Sequence, residues 1–181
     1  MLISPTNSTL LVIDIQEKLL PALHNAEQLM LNSQWLIEVA DNLAIPTIVT
    51  EQYPQGLGHT SDQLVPYLSS AVFLEKEHFS AAEELHIVES VNKLNKEQLI
   101  LIGAESHVCL LQTALGFSEL GYDVYVVTDA IASRKASDYN TALIRMQQNG
   151  IQLVTKEMVA FEWLHKCNTD SFRKISKNYL R

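Results

Sequence analysis

Six short apolar runs punctuate the chain, at residues 10–13, 47–50, 71–74, 99–104, 124–128 and 151–155. Each is continuous rather than alternating, and most are rich in Val, Ile and Leu. A strand with one wet face alternates apolar and polar side chains, whereas a strand covered on both faces does not. Between the runs the apolar period changes to that of a helix. Residues 25–43 repeat Ala26, Leu29, Met30, Leu36, Ile37, Ala40 and Leu43. Residues 107–120 are apolar nearly all round, which predicts a buried helix. Ala136, Tyr139, Leu143 and Met146 form one stripe that Asn149-Gly150 stops. Ser80 and Glu83 have the spacing of a capping box ahead of Leu85, Val88, Val91 and Leu94. Two short helices are expected at 156–165 and 169–180. Alternation of this kind specifies an α/β fold, a three-layer α/β/α sandwich around a parallel six-stranded sheet.

At 181 residues, the chain fits one domain spanning 1–181. Hydrophobic residues make up 47%, enough for a core and too many for disorder. No apolar run approaches the roughly 18 residues of a membrane span, and the opening MLISPTNS lacks the features of a signal or transit peptide. The net charge of −8 argues against nucleic acid and anionic membrane as partners. Two cysteines do not make a disulfide framework, so free thiols and a cytoplasmic location are expected.

Open α/β sheets bind ligands beyond the carboxyl ends of their strands, so polar residues there are the candidates for chemistry. Asp14 closes the first run, Lys76 follows the third, and Cys109 lies in the turn after the fourth. Alone, each has an ordinary role: a cap, a solvated ammonium, a small buried hydrophobe. Together at one edge they make a nucleophile, a base and a cation. A thiol at a helix N-terminus feels the positive dipole end, and a nearby ammonium adds to it, so a thiolate is expected. A carboxylate within reach could accept the thiol proton and return it to a leaving group.

The residues around each member carry a resemblance: LLVIDIQEKL at 10–19, TEQYPQGLGHT at 50–60, FLEKEHFS at 73–80, and IGAESHVCLLQTALGFSELGYDVYVVTDAIASR at 102–134. In these the sequence resembles the isochorismatase-like cysteine hydrolase family, whose superfamily includes nicotinamidases and N-carbamoylsarcosine amidases. It looks closest to the isochorismatase domain-containing subgroup. The resemblance implies Cys109 as nucleophile, Asp14 as general base and Lys76 as charge partner. It also implies a cis peptide between Ala104 and Glu105, with the N–H groups of Glu105 and Cys109 as oxyanion hole. The implied reaction is cofactor-free hydrolysis of a small amide, imide or carbamoyl compound through a thioester. The alternatives are an isochorismatase-type vinyl ether hydrolase and a non-catalytic oligomeric binding protein of the same fold. A homo-oligomer acting on a small molecule is expected, as the family is commonly oligomeric.

The metal-binding Asp-x-His pair of nicotinamidases is replaced here by Glu51-Gln52-Tyr53, and the six histidines lack ligand spacing, so no metal is expected. Tyr53, Leu57, Phe79 and His107 are candidate pocket residues, with ordinary packing as the competing role. Asp129, Ser133 and Arg134 are placed to brace the site, and Asp129 could equally cap a turn. Phe161 and Trp163 mark either a subunit interface or core.

Overall fold

In the computed structural model, which describes residues 1–180, the apolar runs form one six-stranded parallel sheet. The strands are β1 (Ser8–Ile13), β2 (Thr47–Gln52), β3 (Val72–Lys76), β4 (Gln98–Ala104), β5 (Asp123–Ala132) and β6 (Gln152–Val154). Their order across the sheet is β3-β2-β1-β4-β5-β6. The chain works outward to one edge from β1, then returns to start again at β4. The carboxyl ends of β1 and β4 therefore flank the point where the winding reverses, which is where such sheets open a crevice.

The helices are α1 (Ala26–Asn42), α2 (Pro54–Leu57), α3 (Leu85–Lys93), α4 (Cys109–Glu119), α5 (Ala136–Gln148), α6 (Lys156–Leu164) and α7 (Asp170–Tyr179). Successive side chains of a strand point to opposite faces, and the core divides accordingly. Leu10, Val12, Ile100 and Ile102 pack with Leu36 and Ala40 of α1, Val159 and Trp163 of α6, and Ile175 of α7. Leu11, Ile13, Leu99 and Leu101 pack with Ile87 of α3, Leu110 and Phe117 of α4, and Met146 of α5. Each large side chain buried this way contributes about 1.5–3 kcal/mol.

Three local expectations need correction, and one open alternative is decided. β3 is an edge strand and is not covered on both faces, since Val72 and Phe73 are exposed. β5 runs on past Thr128 to Ala132, with a register shift against β4 between Leu101 and Gly103. Ser80 caps only a short 3-10 turn, accepting from Ala82 N–H, and α3 starts later, at Leu85. The neighbouring Glu84 binds backbone instead, accepting from the N–H groups of Glu77 at 2.8 Å and His78 at 3.0 Å. Trp163 belongs to the core, donating to Ser8 Oγ at 3.1 Å, while Phe161 is half exposed.

Gly103 fixes how closely β4 approaches β1. Its φ is +122°, and a Cβ there would lie 2.0 Å from the Ile13 carbonyl oxygen. Only glycine fits a positive φ against that backbone. Among the described residues, no helix is long and apolar enough to cross a membrane.

Candidate active site

Asp14 is the first residue beyond β1, Lys76 the last of β3, and Cys109 the first of α4. The sheet brings them together. Lys76 Nζ lies 2.8 Å from Asp14 Oδ2, with both side chains fully buried. Asp14 Oδ1 accepts from Thr50 Oγ1 at 2.7 Å. Oδ2 has no hydrogen-bond partner apart from that ammonium contact, which leaves a lone pair available. Lys76 donates to Gln52 Oε1 at 2.5 Å and to the carbonyls of Phe79 at 3.1 Å and His78 at 3.3 Å. The Cys109 thiol points at the same Gln52 Oε1, 3.9 Å away.

The titration of the thiol reverses the thiolate expectation. Burial first, and then the negative charge of Asp14, push Cys109 up to about 12, against the opposing pull of Lys76. The helix N-terminus is outweighed because the thiol is taken out of water beside a carboxylate. Burial also pushes the Asp14 carboxyl up, while Lys76, Thr50 and Cys109 pull it down. Burial thus favours the protonated thiol and makes Asp14 a stronger base than a solvated carboxylate.

Gln52 is the residue that sequence reasoning missed. Its Nε2 donates to the Glu77 carbonyl at 2.7 Å, which turns Oε1 toward Lys76 and Cys109. Its backbone is held in turn by Gln16, which accepts from Gln52 N–H at 2.8 Å and donates to Gln52 O at 3.0 Å. No signal in the sequence marks it: Gln52 ends β2 and Gln16 lies just beyond β1, and their pairing is seen only in the fold. Thr50 was equally unremarked, although it lies two residues before Gln52 and so on the same face of β2.

The Ala104–Glu105 peptide is cis. Glu105 O accepts from Val108 N–H at 3.0 Å and Leu110 N–H at 3.2 Å, whereas the N–H groups of Glu105 and Cys109 find no acceptor among the described residues. Of the candidate pocket residues, Tyr53 lines a cavity of about 260 Å³ that also reaches Lys76, Glu75 and Glu77. Leu57, Phe79 and His107 do not line it. Phe79 is 54% exposed, and His107 Nδ1 lies 3.0 Å from Ser133 Oγ. Asp129 Oδ1 accepts from Lys156 N–H at 2.9 Å, at the start of α6. Cys167 is exposed and remote in sequence from the trio. Among the described residues, no group of three His, Cys, Asp or Glu side chains is placed to hold a metal ion.

The isochorismatase domain model matches residues 8–158, most of the chain and every residue of this site. The chain belongs to the isochorismatase family. Isochorismatase family protein 1A of Dictyostelium discoideum is 32% identical over 177 residues, covering 96% of this chain and 86% of its own. Among solved structures, MAR1 ribonuclease from Caenorhabditis elegans superposes with a TM-score of 0.93 at 37% identity, covering 100% of this chain and 93% of that one. YcaC from Escherichia coli, described as an octameric hydrolase of unknown specificity, gives 0.93 at 27% identity, covering 99% and 91%. YcaC from Pseudomonas aeruginosa, solved with hexane-2,5-diol and covalent acrylamide, gives 0.92 at 26% identity, covering 99% and 92%. The isochorismatase-family fold thus extends over the whole described chain.

Proposed function

We infer that this isochorismatase-family chain is a cysteine hydrolase of small amide, imide or carbamoyl compounds, working without a cofactor. The observation that carries the reading is the buried Asp14–Lys76 pair beside the Cys109 thiol. In this reading Asp14 takes the thiol proton as Sγ attacks the carbonyl carbon. The carbonyl π electrons move to oxygen, and the N–H groups of Glu105 and Cys109 hold the oxyanion. Each such donor is typically worth about 2.7–4 kcal/mol in the transition state. As the tetrahedral species collapses, Asp14 gives the proton to the departing nitrogen, leaving a thioester on Cys109. Asp14 then deprotonates the water that attacks the thioester, and as the second tetrahedral species collapses the C–S bond breaks and Asp14 returns the proton to Sγ. Lys76 keeps Asp14 ionised and compensates the charge that passes to sulfur.

The acrylamide adduct of the P. aeruginosa relative fits a family site with an accessible nucleophile. The octameric E. coli relative favours a homo-oligomer. The free Cys109 and Cys167 thiols fit a reducing compartment. A phosphate backbone, which the name of the C. elegans relative would suggest, is disfavoured by a net charge of −8. Tyr53, Leu57, Phe79 and His107 are kept as proposed substrate contacts, of which Tyr53 alone lines the cavity that reaches Lys76.

The test is a panel of small amides, imides and carbamoyl compounds scored for ammonia, run beside isochorismate scored for pyruvate. Ammonia release that disappears in Cys109→Ala supports the reading. Pyruvate release that survives Cys109→Ala establishes the vinyl ether alternative in its place.

A further inference from the structure

The last residue of β5 and the two that follow it hold three consecutive residues after β4. Ala132 O accepts from Ser106 N–H at 2.7 Å. Ser133 Oγ lies 3.0 Å from His107 Nδ1. Arg134 grips Glu105 with two parallel bonds, Nε to Oε1 at 2.7 Å and Nη2 to Oε2 at 2.9 Å. Glu105 is thereby fixed from two sides. Its carbonyl receives the first turn of α4 and its carboxylate is locked to a guanidinium, so its N–H is the one strong group left without a partner.

The pairing has an electrostatic consequence too. Glu105 is almost fully buried, 5% exposed, so its carboxylate is weakly screened. Unpaired, that charge would repel an oxyanion forming on the residue's own N–H. Arg134, itself largely exposed, is the group that neutralises it. Guanidinium and carboxylate match in bidentate geometry, so this contact sets orientation as well as charge.

We propose that Arg134 is a positioning residue for the oxyanion hole, acting through Glu105. This rests on the reading of Cys109 as nucleophile and of the Glu105 N–H as oxyanion donor. Arg134 touches no reacting atom. It orients the donor and cancels the charge beside it.

Two small reagents separate this role from a general structural one, without turnover. Acrylamide adds to a thiol by conjugate addition: the S–C bond forms at the β-carbon and the C=C π pair moves toward the carbonyl oxygen. The enolate then takes the thiol's proton, by way of Asp14, at the α-carbon. Methyl iodide reacts by displacement: the S–C bond forms as iodide leaves, the thiol's proton passes by way of Asp14 to water, and no carbonyl oxygen is involved. The rates of both at Cys109 are read by peptide mass mapping in wild type and Arg134→Gln, with the exposed Cys167 as reference. We expect Arg134→Gln to slow acrylamide addition about 10-fold or more, a fraction of the 10²–10³ lost with a whole oxyanion donor, and to leave methylation within about 2-fold. An acrylamide-to-methyl-iodide ratio that does not move in Arg134→Gln overturns the proposal, whether both rates hold or both fall together. If neither reagent modifies wild-type Cys109 faster than Cys167, the nucleophile assignment itself is wrong and the proposal goes with it.

Discussion

Lys76 Nζ and Asp14 Oδ2 lie 2.8 Å apart with neither side chain open to solvent. Removing one partner of such a pair strands the other charge in a region of low dielectric, at a cost of about 3–5 kcal/mol. Urea unfolding should therefore find Lys76→Met and Asp14→Asn each destabilised on that scale. The double variant should recover most of the loss while remaining inactive. Additive losses in the double variant would mean that the two side chains are not coupled.

The thiol makes its own contribution to stability, with a defined sign. Cys109 is raised from 9.0 to about 12 in the folded protein, so folding favours the protonated form. That contribution is complete below about pH 9. It is lost as pH rises from there through about 12, where the unfolded chain releases the proton first. Wild type should lose urea stability between pH 8.5 and 10.5 more steeply than Cys109→Ala. Parallel alkaline limbs would contradict the assignment.

Glu84 works in the opposite direction. The backbone N–H groups of Glu77 and His78, with His78 beside them, hold it at about 2, below the ordinary 4.5. Its stabilisation is present above about pH 4.5 and disappears as pH falls toward 2. Glu84→Gln should lose about 1–2 kcal/mol at pH 7, the value of hydrogen bonds to a charged acceptor. The loss relative to wild type should shrink in urea titrations taken from pH 5 to pH 2.5.

Gly103→Ala should be among the most damaging single substitutions in the chain. The new Cβ would sit 2.0 Å from Ile13 O at a φ of +122°, so β1 and β4 would have to separate beneath the site. A destabilisation of about 4 kcal/mol or more is expected, seen as loss of the cooperative unfolding transition or of soluble protein.

Much of this arrangement was legible in the sequence because of contrast. Asp14, Lys76 and Cys109 each follow an apolar run closely, and α/β winding carries such positions to one edge. Gln52 and Gln16 were not legible, since an uncharged carboxamide announces no chemistry until its partners are seen. Asp129 hid the continuation of β5, because a carboxylate after five strand residues looks like an end. The thiol's titration depended on whether a helix terminus or burial prevails, and only packing decides that. Arg134 was visible as a brace, whereas its hold on Glu105 was not.

In the proposed mechanism Cys109 attacks as its proton passes to Asp14. A thiol raised to about 12 would be almost inert at neutral pH without a base beside it. The decisive measurement is the rate of acrylamide addition at pH 7.5 to Cys109 and Cys167, in wild type and Asp14→Asn. Wild-type Cys109 should react faster than exposed Cys167, and Asp14→Asn should slow Cys109 about 100-fold or more, within the usual range for general base catalysis, leaving Cys167 unchanged. A Cys109 that reacts no faster than Cys167, or that is indifferent to Asp14→Asn, would contradict it.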